Sequence, residues 1–170
     1  MKNTQKKTES KHNRNLCHLL KKMLALFFRH NKHQKMITYQ KEKTVTVEEF
    51  RDVLINSTLA ERRPVNNPGT LSKMIEHGNL IVTARENGKL VGIARSLTDF
   101  EYCTYLSDLA VDENYQKLGI GKELIKQTKL KAPNAKLILL SAPKAVEYYP
   151  KIGMAKWDQC FVLDNVKDLK

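Results

Sequence analysis

A glycine-containing segment, Gln-Lys-Leu-Gly-Ile-Gly at positions 116–121, lies between an apolar strand pattern and a helix pattern. It constrains the chain more than any other feature. The first N–H groups of a helix have no carbonyl partner within the helix and lie at the positive end of its dipole, which makes them an anion site. Because Gly119 and Gly121 lack a Cβ, a phosphate could approach the backbone closely. The segment therefore predicts binding of a phosphorylated cofactor.

Two other phosphate-binding motifs fit this segment less well. The P-loop, G-x-x-x-x-G-K-[ST], needs a glycine where Gln116 stands, and it needs a hydroxyl where Glu123 follows Lys122. The dinucleotide fingerprint G-x-G-x-x-G needs a third glycine where Leu124 stands. The remaining interpretation is a pyrophosphate cradle that begins at Gln116.

Apolar runs bounded by turn residues predict six strands, at 37–43, 80–84, 90–98, 102–111, 135–141 and 159–163. The dipeptide Asn87-Gly88 predicts a tight hairpin between the second strand and the third. The run 135–141 is continuously apolar, which is typical of a strand buried on both faces.

Four helices are predicted between these strands. The first opens at a capping box formed by Thr46 and Glu49 and runs to about Asn56. Thr70 can cap the second, and Gly78 can end it. The other two are predicted at 119–131 and 144–149. The resulting order, β-α-α-β-β-β-α-β-α-β, indicates an α+β fold around a mixed central sheet.

The positive charge is concentrated at the start of the chain. Residues 1–35 hold ten Lys or Arg and one acid, so they carry +9 of the formal net charge of +12. Residues 1–15 are predicted to be disordered, and 16–28 show the spacing of a short basic amphipathic helix. Three interpretations of this segment stay open. It contacts a membrane surface or an acidic partner, it is an extension without a role, or the functional protein starts at Met36.

Composition predicts one domain over residues 36–170, which carry only +3. No nucleic acid is expected as a partner, and no apolar run is long enough for stable membrane insertion. The three cysteines form no Cys-x-x-Cys pair, which favours a cytoplasmic protein. Four of the five histidines lie in 1–35 without ligand spacing, so no metal site is predicted.

Two segments together resemble a known family. The pattern Gln-x-x-Gly-x-Gly at 116–121, after Leu-Ala-Val on a strand, is similar to the coenzyme A motif of GNAT N-acetyltransferases. Downstream, Ala-Val-Glu-Tyr-Tyr-Pro-Lys-Ile-Gly-Met at 145–154 resembles the family's Ala-x-x-Phe-Tyr-x-Lys-x-Gly-Phe segment. The resemblance covers about residue 36 to the C-terminus. It implies the GNAT fold, acetyl-CoA as co-substrate, and direct acetyl transfer to a primary amine in a ternary complex.

The resemblance also implies roles for single residues. Tyr149 matches the tyrosine that protonates the departing thiolate, whereas Tyr148 stands where the family often has Phe. Backbone groups at the end of the central strand would pair with the pantetheine arm. The cofactor-binding residues expected are Leu109, Ala110, Val111, Gln116, Lys117, Leu118, Gly119, Ile120, Gly121 and Lys122.

The general base is left open. In several members a Glu on the central strand deprotonates the amine, but the matching position here holds Tyr105. Asp108 is the only carboxylate within that strand, and strand alternation places it on the opposite face unless a bulge re-aims it. We predict that Asp108 is buried, lines the acceptor pocket and contributes to catalysis. Asp99 and Glu101 at the preceding turn are the alternatives.

The acceptor is expected to be an amine on a small molecule, and a protein amine stays open. Its site is predicted at the loop 58–69, where Arg62 and Arg63 could meet an acidic group, at the turn 99–102 and at the C-terminal strands. A non-catalytic acyl-CoA-binding module that regulates a partner is the alternative function. It is favoured by Ala142, which stands where many members have Asn. Because relatives are often dimers, a homodimer is also left open.

Overall fold

The computed structural model of the protein describes residues 36–170. The predictions made for residues 1–35, including the amphipathic helix at 16–28, lie outside the described residues. Within the described part, no helix is both long and apolar enough to cross a membrane.

A five-stranded sheet with the order β1-β2-β3-β4-β5 lies at the centre of the described part. Its strands are β1 Ile37–Glu42, β2 Leu80–Glu86, β3 Lys89–Thr98, β4 Cys103–Val111 and β5 Lys136–Ile138. The pairs β2–β3 and β3–β4 are antiparallel, and β4–β5 is parallel. The helices are α1 Val47–Asn56, α2 Pro68–Glu76, α3 Ile120–Lys131 and the short α4 Tyr148–Lys151. The α+β fold around a mixed sheet is confirmed.

Helix α1 begins where its capping box predicts. The Thr46 hydroxyl accepts from the Glu49 N–H, and the Glu49 carboxylate accepts from the Thr46 N–H, each at 3.1 Å. The start of α2 differs from the prediction, because Asn67 rather than Thr70 is its N-cap. The Asn67 side chain accepts from the Thr70 N–H at 3.0 Å. Pro68 suits the first helical position, because a backbone N–H there would have no acceptor within the helix and proline has none to lose.

The hairpin between β2 and β3 turns at Asn87 and Gly88, as predicted. Their φ angles are 48° and 85°, so both residues occupy the left-handed region that a two-residue hairpin turn requires. Asn and Gly tolerate that region better than other residues. The local sequence therefore determines this turn and, with it, the register of two central strands.

Helices cover both faces of the sheet. On one face, α1 and α2 bury Phe50, Leu54 and Leu71 against Ile93 of β3. On the other face α3 lies against β2 and β3. A Cβ at Gly92 would lie 3.2 Å from the Leu124 Cδ1, so the missing side chain lets α3 approach β3 closely.

The C-terminal part of the prediction is wrong in three respects. The run predicted at 135–141 forms only three residues of strand, Lys136–Ile138, and it is not buried on both faces because β5 is an edge strand with Ile138 43% exposed. Residues 159–163 form no strand, and Phe161 is 94% exposed. Apolar content alone cannot supply a pairing partner, and the described sheet ends at β5. The helix predicted at 144–149 is a 3-10 turn, Pro143–Ala145, followed by α4.

Candidate active site

A cavity of about 940 Å³ opens beside β4. Its walls come from four parts of the chain: the segment after α1, one edge of β4, the loop that leads into α3, and the chain from the end of β5 through α4. Both motif segments, 116–121 and 145–154, contribute to it. The residues that the sequence places far apart therefore meet at one site.

The cavity exists because β4 and β5 separate. Their pairing ends at Tyr105 and Ile138, so β4 has no strand partner on that side beyond this point. Ser107, Leu109 and Val111 line the opening. At Ser107 the β3–β4 register shifts, since Arg95 pairs with Asp108 but the next residue, Ser96, pairs with Leu106. Bulges bend strands, and this one lies two residues beyond the last pair between β4 and β5.

The predicted cofactor residues on β4 divide between two faces. Leu109 and Val111 line the cavity, whereas Ala110 is buried in the hydrophobic core. The Ala110 side chain therefore does not line the cavity, and only its backbone could take the predicted cofactor-binding role. On the free edge of β4, backbone groups in this region are available to a bound chain, as in strand addition.

The loop 116–121 has the geometry of an anion cradle. Lys117 and Gly119 have φ angles of 63° and 82°, and Glu123 is the first residue of α3 to donate into the helix, to the Gly119 carbonyl at 3.0 Å. The N–H of Leu118 closes the turn at residues 116–117. Among residues 36–170, the N–H groups of Lys117 and of residues 119–122 have no hydrogen-bond acceptor. Successive free N–H groups in such a turn form a concave site for an anion. The Gln116 side chain contributes differently: it donates to the Val111 carbonyl at 3.1 Å and ties the loop to β4.

The second motif contacts the cradle through its tyrosines. A Cβ at Gly121 would lie 3.3 Å from the Tyr148 hydroxyl oxygen, so a larger residue there would press on the Tyr148 ring. The rings of Tyr148 and Tyr149 pack edge to face, with centroids 5.3 Å apart. Tyr149 is half-buried and lines the cavity, and burial raises the pKa of its phenol, while the nearby Arg62 lowers it. A phenol with a raised pKa stays protonated at neutral pH and can donate its proton.

Asp108 is buried as predicted, but it does not line the cavity. Its side chain is fully buried, and one oxygen accepts from the Arg63 Nε while the other accepts from the Arg95 Nε. Arg63 also donates to the Ser107 carbonyl at 2.7 Å, and Arg95 donates to the Ser107 hydroxyl at 2.9 Å. Because both carboxylate oxygens are held by guanidinium groups, the arrangement suits a clamp under the bulge rather than the predicted catalytic role.

The alternative acids at the turn have structural contacts as well. The Asp99 carboxylate accepts from the N–H groups of three residues at 2.8–3.0 Å, namely Glu101, Tyr102 and Cys103. These hydrogen bonds lower its pKa. The Glu101 carboxylate accepts from the Asn134 amide at 3.0 Å. Neither acid lines the cavity.

Sequence reasoning missed Glu61. It lies on the 3-10 turn Leu59–Arg62 after α1, and it is the only carboxylate among the residues that line the cavity in the described part of the chain. Arg62 lines the cavity beside it. The loop had been expected to contribute to the acceptor site, but no spacing in the sequence distinguishes Glu61 from other loop acids. Only the fold shows which ones face the cavity.

Comparisons with known proteins agree with this geometry. A family model described as an acetyltransferase (GNAT) domain matches residues 38–170. A protein of Pyropia yezoensis called uncharacterized N-acetyltransferase ycf52 is 33% identical over 82 residues, which is 46% of this chain and 47% of that protein. Histone acetyltransferase TAP1 of Glycine max is 32% identical over 71 residues, which is 40% of this chain and 31% of that protein. The chain thus spans half or less of the length of these curated relatives.

Solved structures share the fold. A probable acetyltransferase of meticillin-resistant Staphylococcus aureus superposes with a TM-score of 0.62 at 18% identity, over 73% of this chain and 93% of that one. An aminoglycoside acetyltransferase from an uncultured soil metagenomic sample gives 0.60 at 20% identity, over 81% of this chain and 99% of that one. At these identities the likeness concerns the fold alone. The family match over residues 38–170, with the opening beside β4 and the two motif segments, shows that the chain belongs to the GNAT acetyltransferase family.

Proposed function

We propose that this acetyltransferase is an acetyl-CoA-dependent N-acetyltransferase that acts on a primary amine of a small molecule in the cytoplasm. The observation that carries the proposal is the row of N–H groups at residues 119–122 that have no acceptor within residues 36–170, beside a cavity that Tyr149 also lines. A pyrophosphate at the cradle and a thioester near Tyr149 would use both features.

The residues present fit coenzyme A. The free N–H groups and the side chains of Lys117 and Lys122 would hold the pyrophosphate, because they offer hydrogen bonds and positive charge together. The open edge of β4 at Leu109 and Val111 would pair with the amide groups of the pantetheine arm. When bound, acetyl-CoA supplies an activated acyl group.

In the proposed reaction the neutral amine attacks the thioester carbonyl directly. A C–N bond forms and the C–S bond breaks. The nitrogen releases one proton to solvent, the thiolate takes one from a protein acid, and that acid regains a proton from solvent, so the protons balance. Tyr149 donates the proton to the sulfur, and its raised pKa keeps the phenol protonated at neutral pH until the thiolate departs. No covalent intermediate with the protein is required.

A first experiment is calorimetric titration of acetyl-CoA into the full chain, with ATP and NAD as control ligands. Micromolar binding of acetyl-CoA alone would support the cradle's proposed ligand and justify a screen of primary amines, followed by release of free thiol. If acetyl-CoA does not bind, the proposed function is wrong.

A second candidate function is the non-catalytic acyl-CoA-binding module. It is favoured by the clamp on Asp108 and by Tyr105 at the position where several members of the family have an acid. This candidate predicts acetyl-CoA binding without turnover of any amine, and Tyr149→Phe would then change nothing measurable.

A further inference from the structure

The charged side chains that line the cavity are mostly cationic. Five cations line it, Arg62, Arg63, Lys117, Lys122 and Lys144, against the single carboxylate of Glu61. Lys117 and Lys122 belong to the anion cradle, and Arg63 is committed to Asp108. Two cations remain. Lys144 lies on the 3-10 turn Pro143–Ala145, and Arg62 follows Glu61 directly on the 3-10 turn Leu59–Arg62, so this second turn presents one carboxylate and one guanidinium to the cavity.

Arg62 is held by its neighbour. The Arg63 Nη1 donates to the Arg62 carbonyl at 2.8 Å, while the rest of the Arg63 guanidinium is anchored on Asp108 and on the Ser107 carbonyl. The backbone of Arg62 is thus tied to a fully buried carboxylate beneath β4. Its own side chain is exposed and has no hydrogen bond or ion pair with any residue in 36–170. A guanidinium in this state is free to bind an anion with two parallel hydrogen bonds.

The position of Arg62 links it to the reacting end of the cavity. It is close enough to Tyr149 for its charge to oppose the effect of burial on the pKa of that phenol. Glu61 lies on the same turn and also has no ion pair with any residue that the structure describes. The ammonium group of a ligand that enters here would meet the carboxylate of Glu61. An acidic group on the same ligand would meet the guanidinium of Arg62.

We propose, building on the function above, that Glu61 and Arg62 select a small acceptor that carries both a primary amine and an acidic group. Glu61 faces the ammonium and receives its proton, and Arg62 binds the acid. The Arg62 guanidinium can bind either a carboxylate or a phosphate. The proposed class of acceptor is therefore a primary amine that also carries an anionic group. A polycationic acceptor such as a polyamine or an aminoglycoside would instead face excess positive charge from the cavity wall.

The test compares acceptors in matched pairs, using the full chain. Amino acids are compared with their amides, 4-aminobutyrate with butylamine, and O-phosphoethanolamine with ethanolamine, with spermidine as the polycation. Binding to the protein–coenzyme A complex is measured by calorimetry, and turnover by thiol release. We expect at least one acidic member to exceed its neutral partner by about 10- to 100-fold in affinity or kcat/KM, as for hydrogen bonds to charged groups. The pair that responds identifies the acid as carboxylate or phosphate.

Variants locate the effect. Arg62→Ala removes that preference and leaves the affinity for acetyl-CoA unchanged, while Arg62→Lys retains part of it. Lys131→Ala is the matched control, because Lys131 is exposed at the end of α3 and does not line the cavity. Glu61→Gln weakens binding of every amine and raises the pH at which turnover begins.

The outcomes separate this inference from the proposed function. If acetyl-CoA binds but no amine is turned over, the N-acetyltransferase proposal fails, and the calorimetric pairs still decide the acceptor chemistry. Equal binding within every pair, preference for spermidine, or an Arg62→Ala variant that loses acetyl-CoA instead of the acceptor would overturn the inference.

Discussion

At the scale of single residues, Tyr149 is the proposed proton donor of the reaction. Its phenol is half-buried, lines the cavity and has a pKa raised by burial. We predict that Tyr149→Phe lowers kcat by about 100-fold or more, which is the usual contribution of general acid catalysis. The affinity for acetyl-CoA should stay within about twofold, because the hydroxyl acts on the leaving group. Steady-state kinetics of thiol release and calorimetry measure the two quantities.

Tyr102→Phe is the control for this variant, since Tyr102 is 82% exposed and does not line the cavity. The pH profile adds a second check. Because the pKa of Tyr149 is raised above the ordinary value of about 10, its ionisation should not lower kcat below that pH. A Tyr149→Phe variant with full kcat would remove the proton-donor role.

Asp108 is predicted to position the site without exchanging protons. Asp108→Asn leaves Arg63 and Arg95 with only a neutral partner, and breaking a buried ion pair in this way costs about 3 kcal/mol or more of unfolding free energy. We expect a lower urea midpoint and a higher acceptor KM, because Arg63 no longer holds the turn that carries Arg62. The pH dependence of kcat should not change.

Asp52→Asn is the matched control, because Asp52 is exposed on α1. If Asp108→Asn unfolds at the same urea concentration as the native chain, the clamp is not structural. A shift in the pH profile at unchanged stability would return Asp108 to the role of general base.

At the scale of elements, the cradle depends on the turn that enters α3. Gly121→Ala places a Cβ 3.3 Å from the Tyr148 hydroxyl and at the surface where the pyrophosphate would lie. We predict about a tenfold or greater loss of affinity for acetyl-CoA, with the fold retained. Gly69→Ala is the control, because its Cβ would make only an ordinary 3.4 Å contact with the Asn67 side chain. Equal calorimetric affinities for the two variants would place the pyrophosphate elsewhere.

An ion-pair network joins β1, α1 and β2. The Arg85 guanidinium donates to Glu42 at 2.7 Å and to Glu49 at 2.6 Å, and it holds the pKa of Glu42 at about 2. Since the folded-state pKa is depressed, the stabilisation is complete above the unfolded value of 4.5 and is lost as the pH falls toward 2. Glu42→Gln should therefore cost about 2 kcal/mol at pH 7 and much less near pH 2. Urea unfolding at both pH values measures the difference, and a cost independent of pH would contradict the prediction.

Local signals predicted most of the elements, and long-range contacts could not be predicted in the same way. The capping box at Thr46 and the turn at Asn87 each involve neighbours along the chain, so the sequence displays both partners. The cradle was predictable for the same reason. The partners of Asp108 are 45 and 13 residues away, so nothing in the sequence near Asp108 indicates that two guanidinium groups occupy it. Glu61 could not be singled out from the sequence either, because whether its side chain lines the cavity depends on how the whole chain folds.

At the scale of the whole molecule, the described sheet ends with an open edge. On one side of β5 lies β4, and the other side has no strand partner in residues 36–170. The segment 159–163 is mostly apolar, as a strand would be, but it pairs with no strand, and Phe161 and Val162 are 94% and 68% exposed. An unpaired edge and an unpaired strand-like segment in the same chain favour association between copies, since pairing would satisfy both.

We therefore predict that the full chain forms a homodimer at micromolar concentration, which light scattering after size-exclusion chromatography measures. Phe161→Asp should shift the mass toward the monomer, because a charge on the paired segment would have to be desolvated. Val166→Asp is the control, since Val166 is 74% exposed but lies outside 159–163. A monomer at 100 µM, a concentration on the order of 100 times that of the expected transition, would show that the edge stays open in solution.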